Sequence, residues 1–285
     1  MNDSPIGLIG IGLLGTALAE RMIAAGLTLV GCDCDRSVGD RLRTIGGRFA
    51  AKPGDVASAC NQIVFCLPDS DVVAGVMSEL GDCLTAGKLI IDATTGDPDA
   101  TAPLAARLAA RGVGYIDATI AGSSEQARRG EAVVIIGGEA DNVRRADRVL
   151  KTWSDRRFHV GTAGSGARLK LVVNLVLGLN RAALAEGLAL ANRCGIDPAA
   201  ALEVLKATPA YSQVMDTKGP KMIAAEYSPQ ARLAQHQKDV RLIRELASRH
   251  HAQTPLSDVH EALLQAAVDL GYADADNSAI IEAFR

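Results

Sequence analysis

The chain has 285 residues, 48% of them hydrophobic and 22% charged, with a net charge of −3. That is enough apolar material for one large or two ordinary buried cores, in a globular and not a disordered composition. The slight negative charge and 3% aromatic content offer no basic patch or stacking platform for nucleic acid, and no charged leader or uninterrupted apolar run of membrane-spanning length stands out, so a cytoplasmic chain with neither nucleic-acid nor membrane partner is expected.

Residues 6–9 read as a buried strand that runs straight into "GIGLLG". Gly10, Gly12 and Gly15 fit G-x-G-x-x-G. In that pattern the first glycine allows the tight turn, the second lets a pyrophosphate reach the backbone, and the third lets helix pack on strand. Leu13 and Leu14 lie inside the turn, a helical run follows over 16–25, and a second apolar run over 27–32 ends at Asp33. Asp33 stands 18 residues after Gly15, near the spacing at which a carboxylate takes ribose hydroxyls. The set points to a nicotinamide or flavin dinucleotide.

The alternation continues: apolar 62–68, helical 72–80, apolar 88–92, helical 98–110, apolar 113–117, apolar 131–138, helical 141–150 and a short strand over 157–160. Repeated βα units predict a doubly wound parallel sheet, which takes its ligand beyond the carboxyl ends of its strands. Three such ends carry polar residues: "CLPDSD" with Leu67 and Pro68, "DATTGD" with Thr94 and Thr95, and "DATIAGSSEQARRGE". Asp92 and Asp117 each close a buried apolar run and read as turn-capping carboxylates, not a catalytic pair.

Near 161–166 the pattern changes. A proline-free apolar stretch over 166–192 predicts one helix of roughly 40 Å, and helices follow over 198–207, 212–218, 231–250, 256–270 and 278–284. Two domains are expected, 1–162 and 163–285. On the long helix Lys170, Asn174 and Gly178 fall on one stripe among apolar neighbours, so the stripe is either a solvated face or the polar lining of a cleft. The six cysteines contain no C-x-x-C and the five histidines no ligand-spaced set, so neither disulfide nor metal is expected.

The segments "GLIGIGLLGTALA", "CLPDSDVV", "IIDATTGDP", "YIDATIAGSSEQARRGEAVVIIGG", "GSGARLKLVVN" and "QHQKDVRL", in this order, resemble the β-hydroxyacid dehydrogenase family. That family includes 3-hydroxyisobutyrate dehydrogenases, tartronate semialdehyde reductases and related imine reductases. The resemblance implies an α/β fold: an N-terminal Rossmann-type domain for NAD(P), a long helix leading into an all-α C-terminal domain, and an active site between the two. It makes Lys170 the catalytic general acid or base and Asn174 a substrate-binding amide, with Thr95 and Lys238 beside nicotinamide and cleft. Ala121, Gly122 and Ser123 fall where the family binds the substrate carboxylate.

Two departures stand out. The family's Asp-Ala-Pro-Val-Ser-Gly-Gly is here Asp117 to Ser123 with Ala121 in place of the serine, for which Ser123 or Ser124 is a candidate substitute; Val173 replaces the first of two paired asparagines. The implied reaction is metal-free hydride transfer between nicotinamide and a small 3-hydroxy acid or its semialdehyde. Asp33 favours NAD, and Arg36 is the residue that would favour NADP. Reduction of imines or other carbonyls, and dinucleotide binding without chemistry, are the other readings. The apolar surface of the helical half suggests a homodimer or homotetramer.

Overall fold

The computed structural model describes residues 4–285 and divides into two compact units, one ending at Lys170 and one spanning Leu171–Arg285. The first unit alternates strand and helix. Its elements are β1 (Ile6–Ile9), α1 (Leu13–Ala24), β2 (Leu29–Cys32), α2 (Val38–Thr44), β3 (Arg48–Phe49), α3 (Pro53–Ala59), β4 (Gln62–Phe65) and α4 (Ser70–Leu80). They continue with β5 (Leu89–Asp92), α5 (Pro98–Ala109), β6 (Gly114–Ala121), α6 (Ser124–Arg129), β7 (Val133–Gly138), α7 (Ala140–Trp153) and β8 (Arg157–Gly161).

The eight strands form one sheet in the order β3-β2-β1-β4-β5-β6-β7-β8. Its central strands are buried on both faces, which is why they read as continuous apolar runs. Leu8, Leu18, Leu29, Ile91 and Trp153 belong to the core of one face, and Ile63, Phe65, Ile90, Val56 and Leu108 to that of the other. The strand order reverses between β1 and β4, and that reversal leaves the crevice in which open α/β sheets hold ligands.

The sheet is not wholly parallel: β7 runs antiparallel to β6, and all other pairs are parallel. Only residues 122–132 connect β6 to β7, fewer than a parallel crossover needs. β6 also extends four residues beyond the expected 113–117, through Ala121, because small "ATIA" pairs along β7. Asp117 is therefore inside a strand and not at its end.

α8 (Ser165–Arg193) starts in the first unit and continues into the second, where α9 (Pro198–Lys206), α10 (Val214–Ala224), α11 (Leu233–Arg249), α12 (Pro255–Asp269) and a final 3-10 segment (Asn277–Phe284) follow. α10 continues past the expected stop at residue 218, through Gly219 and Pro220. A Cβ on Gly219 would lie 2.7 Å from Leu202 Cδ2, so that glycine serves helix packing. α8 is long and apolar enough to cross a membrane by length and composition alone. Its Leu184, Ala185 and Leu188 join Leu202, Met222, Leu233, Val240 and Leu264 in the helical core, as in a core helix of a globular unit.

Candidate active site

The glycine turn between β1 and α1 is built for something to approach it. Gly10 has φ +96°, which favours glycine, and a Cβ there would collide with the Cys66 carbonyl; a Cβ on Gly15 would collide with the Gly10 carbonyl. Gly12 behaves differently. It is the N-cap of α1, gives the helix no side-chain cap, and a Cβ on it would meet nothing within 4 Å. The first turn of α1 also lacks an acidic residue. A bare positive helix end with open space before it suits a pyrophosphate.

Around this turn stand the exposed Leu13, the half-buried Leu14 and Asp33 at the end of β2. Asp33 Oδ2 accepts the Ile11 amide at 2.6 Å and Oδ1 accepts the Asp35 amide at 2.8 Å. The Cys34 thiol also donates to Oδ1 at 3.5 Å, so the carboxylate ties the second strand end to the glycine turn and keeps its spare lone pair on Oδ2. Leu67 and Pro68 follow β4, and Thr95 follows β5. Thr94 is a joint between these strand ends: its Oγ1 accepts the Leu67 amide at 3.1 Å and its amide donates to Asp92 Oδ1 at 2.8 Å.

Both buried aspartates accept hydrogen bonds within the fold, and Asp117, inside β6, does more than end a ladder. Its Oδ1 accepts the Gly164 amide and its Oδ2 the Ala167 amide, both at 2.7 Å, so a strand residue caps the start of α8, three residues before Lys170. Burial pushes its pKa up to about 6 against the pull of those two amides. Asp92, raised by the same cause, takes the Tyr115 hydroxyl at 2.7 Å. Ala121 ends β6. Ser123 forms a capping box with Gln126, its Oγ accepting the Gln126 amide and its own amide donating to Gln126 Oε1, so the Ser123 hydroxyl oxygen is committed to α6.

Lys170 is buried at 7% exposure, and so is Asn174, one turn further along α8, at 5%. In the second unit Asn174 Nδ2 donates to Asp239 Oδ2 at 2.8 Å, and Lys238 Nζ lies 2.9 Å from Asp239 Oδ1. Asp239, 7% exposed, is the site residue that the sequence concealed: "KD" looks like a solvated helix pair until its partner on another helix is seen. One turn away, Gly178 leaves a notch on α8 filled by two imidazoles. A Cβ there would lie 2.5 Å from His260 Cε1 and 2.6 Å from His236 Nε2. Among the described residues no three His, Cys, Asp or Glu side chains gather as a metal-ligand set, and the six cysteines are free.

Comparison with known proteins agrees with this layout. The sequence model for the NAD binding domain of 6-phosphogluconate dehydrogenase matches residues 5–161, and that for the NAD-binding domain of NADP-dependent 3-hydroxyisobutyrate dehydrogenase matches 164–284. The chain is an NAD(P)-dependent oxidoreductase built on a Rossmann-type domain. It is 29% identical over 284 residues to glyoxylate/succinic semialdehyde reductase 2 of Arabidopsis thaliana, covering 98% of this chain and 79% of that one. It is 28% identical to L-threonate dehydrogenase of Cupriavidus necator, covering 98% and 95%. The crystal structure of a 3-hydroxyisobutyrate dehydrogenase from Salmonella typhimurium superposes with a TM-score of 0.89 at 24% identity, over 97% of this chain and 98% of that one. The chain belongs to the β-hydroxyacid dehydrogenase family.

Proposed function

We propose that the enzyme moves a hydride between NAD and the carbinol carbon of a small 3-hydroxy acid, or in reverse to its semialdehyde, with Lys170 as the general acid or base. The observation that carries this reading is the burial of Lys170 and Asn174 on one stripe of an apolar helix. A solvated helix face would expose both. Buried polar groups are costly unless they are used or bonded, and Asn174 is held by an equally buried carboxylate.

Gly10, Gly12 and Gly15 would cradle the cofactor's pyrophosphate, and the Asp33 carboxylate would accept its ribose hydroxyls and repel a 2′-phosphate. The bound nicotinamide supplies or takes up the hydride. Lys170 Nζ takes the substrate hydroxyl proton during oxidation and returns it during reduction. Asn174 spends one amide hydrogen on Asp239, which fixes the amide plane and leaves Oδ1 to orient the substrate hydroxyl. The end of β6 at Ala121 and Gly122 receives the acid group. Ala121 lacks a hydroxyl, and Ser123 Oγ, which accepts the Gln126 amide in its cap, keeps its O–H to donate, so that hydroxyl and the backbone are what this end offers a carboxylate.

The same helix supports assembly: Leu169, Val172, Val176 and Leu190 are 39–64% exposed along one side of α8, an apolar stripe suited to a second copy of the chain. Light scattering on the purified protein reads the oligomer directly. The reaction is tested by a panel of 3-hydroxy acids, semialdehydes, amines and cyclic imines with NAD and NADP, followed at nicotinamide absorbance. Turnover of hydroxy acids with higher efficiency on NAD is expected. Turnover of imines alone, or cofactor binding without any turnover, would contradict it, and better efficiency on NADP would remove Asp33 as the selector.

A further inference from the structure

The helix that carries Lys170 is anchored to the sheet at one buried carboxylate. α8 has no acidic residue in its own first turn; Gly164, just before it, and Ala167, its third residue, donate their amides to Asp117 Oδ1 and Oδ2, both at 2.7 Å. Asp117 thus caps a helix that starts 47 residues downstream, and the positive end of that helix favours its charge. Glycines make the approach possible. A Cβ on Gly137 of β7 would lie 2.7 Å from Asp117 Oδ1, and one on Gly166 would lie 2.6 Å from Oδ2, so the carboxylate is enclosed by strand and helix backbone. The next side-chain contact of this strand with α8 is weaker: Thr119 Oγ1 reaches the Gly166 carbonyl only at 3.5 Å.

The surroundings of Asp117 let it lose that charge in mild acid. It is the pairing partner of Asp92 where β5 meets β6, and both carboxyls line a cavity of about 380 Å³ between α4 and α5, roomy enough for water. Tyr115, two residues back on β6, gives its hydroxyl to Asp92. β7 sets Gly137 opposite Asp117, and α4 brings no charge to the cavity. α5 brings Arg107 and Arg111, the latter held on the Gly81 and Leu84 carbonyls, while Arg168 of α8 pairs with Asp99 at 2.9 Å. Burial, joined by the like charge of Asp92, raises the Asp117 pKa to about 6 although both amides pull it down. Once Asp117 is protonated, one of its oxygens becomes a donor, and Gly164 or Ala167 loses its acceptor. Because the folded pKa lies above the ordinary carboxylate range, this proton favours the folded chain over the unfolded one, so its effect is local and is not acid unfolding.

We propose that Asp117 is a positioning residue for the hydride-transfer reaction: through the Gly164 and Ala167 amides its ionised carboxylate fixes the first turn of α8, and with it the place of Lys170. The inference rests on the reading of Lys170 as the general acid or base. Lys170 follows Ala167 by three residues, about 4.5 Å along the axis, too short a span of helix to absorb a shift at its start. Displacing a reacting group by about 1 Å can cost on the order of a hundredfold in rate. Loss of one amide bond to Asp117 is therefore felt at Lys170, while NAD affinity, assigned to Gly10, Gly12, Gly15 and Asp33, is left alone.

The test uses the whole protein in the reductive direction, where Lys170 donates its proton and its own titration limits only the alkaline side. With NADH and the semialdehyde of the panel that is turned over fastest, wild-type kcat should fall below about pH 6, and nitrogen-edited NMR spectra should show the Gly164 and Ala167 amides titrating together in the same range. Asp117→Asn has the same size but accepts through one oxygen only. It should lower kcat about tenfold to a hundredfold, leave the NAD dissociation constant within about threefold of wild type, and remove the acid limb. An Asp117→Asn enzyme with wild-type kcat, or with a lowered kcat that keeps the acid limb, overturns the proposal. So do Gly164 and Ala167 amides that ignore pH in the wild type. That arm needs neither substrate nor variant, so it decides the question even if Asp117→Asn fails to fold. A Lys170→Ala protein that keeps its turnover would instead refute the reading of Lys170, whatever the amides show.

Discussion

Gly178→Ala probes the contact of α8 with α11 and α12 at one atom. The new Cβ would lie 2.5 Å from His260 Cε1 and 2.6 Å from His236 Nε2, about 1 Å inside ordinary carbon contact distance. Both rings are buried and packed against each other, tilted by 51° with centroids 5.2 Å apart, so they cannot retreat without moving α11 or α12. Overpacking of this kind costs about 1–3 kcal/mol, and the better helix propensity of alanine returns up to about 1 kcal/mol, leaving a net loss of about 1–2 kcal/mol. The displacement also reaches the site. His236 and Asp239 are one turn apart on α11, as Gly178 and Asn174 are on α8, so moving α11 by ~1 Å takes the 2.8 Å Asn174–Asp239 bond beyond hydrogen-bonding range. Denaturant unfolding should show the stability loss, and kcat/KM should fall at least about tenfold. Adding His236→Ala should recover part of the stability, because the two changes act on one contact. A Gly178→Ala enzyme as stable and as active as the wild type would refute both the packing and its link to Asn174.

Gly12→Ala should fold with a stability change within about 0.5 kcal/mol, since its Cβ meets nothing, yet weaken NAD binding at least about tenfold in titration calorimetry; Gly10→Ala, by contrast, should be poorly folded. Ala121→Ser should change the ranking of substrates in kcat/KM more than it changes stability, because a hydroxyl bonded to a charged group contributes about 1.5–3 kcal/mol; unchanged constants for every acid tested would take Ala121 out of the site. His260 gives a pH dependence. Burial, with the nearby Arg181 charge, holds its folded pKa at about 4, below the ordinary 6.5, so the unfolded chain binds the proton first and stability falls as pH drops from 6.5 towards 4, by about 3 kcal/mol at the lower end. His260→Leu should flatten that part of the stability curve.

The first βαβ unit was legible because its signals are local: a glycine spacing, an apolar run on each side and an acidic residue at a fixed distance. β3, with two paired residues, and the seven-residue helices α2 and α3 leave too short a period to detect. The extension of β6 was hidden by its composition, since "ATIA" acquires strand character only by pairing with β7. The site followed the same division. Lys170 and Asn174 were visible as a stripe, but whether that stripe is solvated or buried depends on residues far away in the chain. Asp239 lies 65 residues from the amide it holds, and Asp117 is 47 and 50 residues from the amides it caps.

The central claim is that cofactor binding and proton transfer are carried by different residues, Gly10, Gly12, Gly15 and Asp33 for the first and Lys170 for the second. Turnover and NAD affinity measured on the same folded Lys170→Ala protein test it most directly. A fall in kcat of about 10²–10⁴ with the NAD dissociation constant within about threefold of wild type is predicted. Retention of more than about a tenth of wild-type turnover, or a loss of NAD affinity that matches the loss of rate, would contradict it.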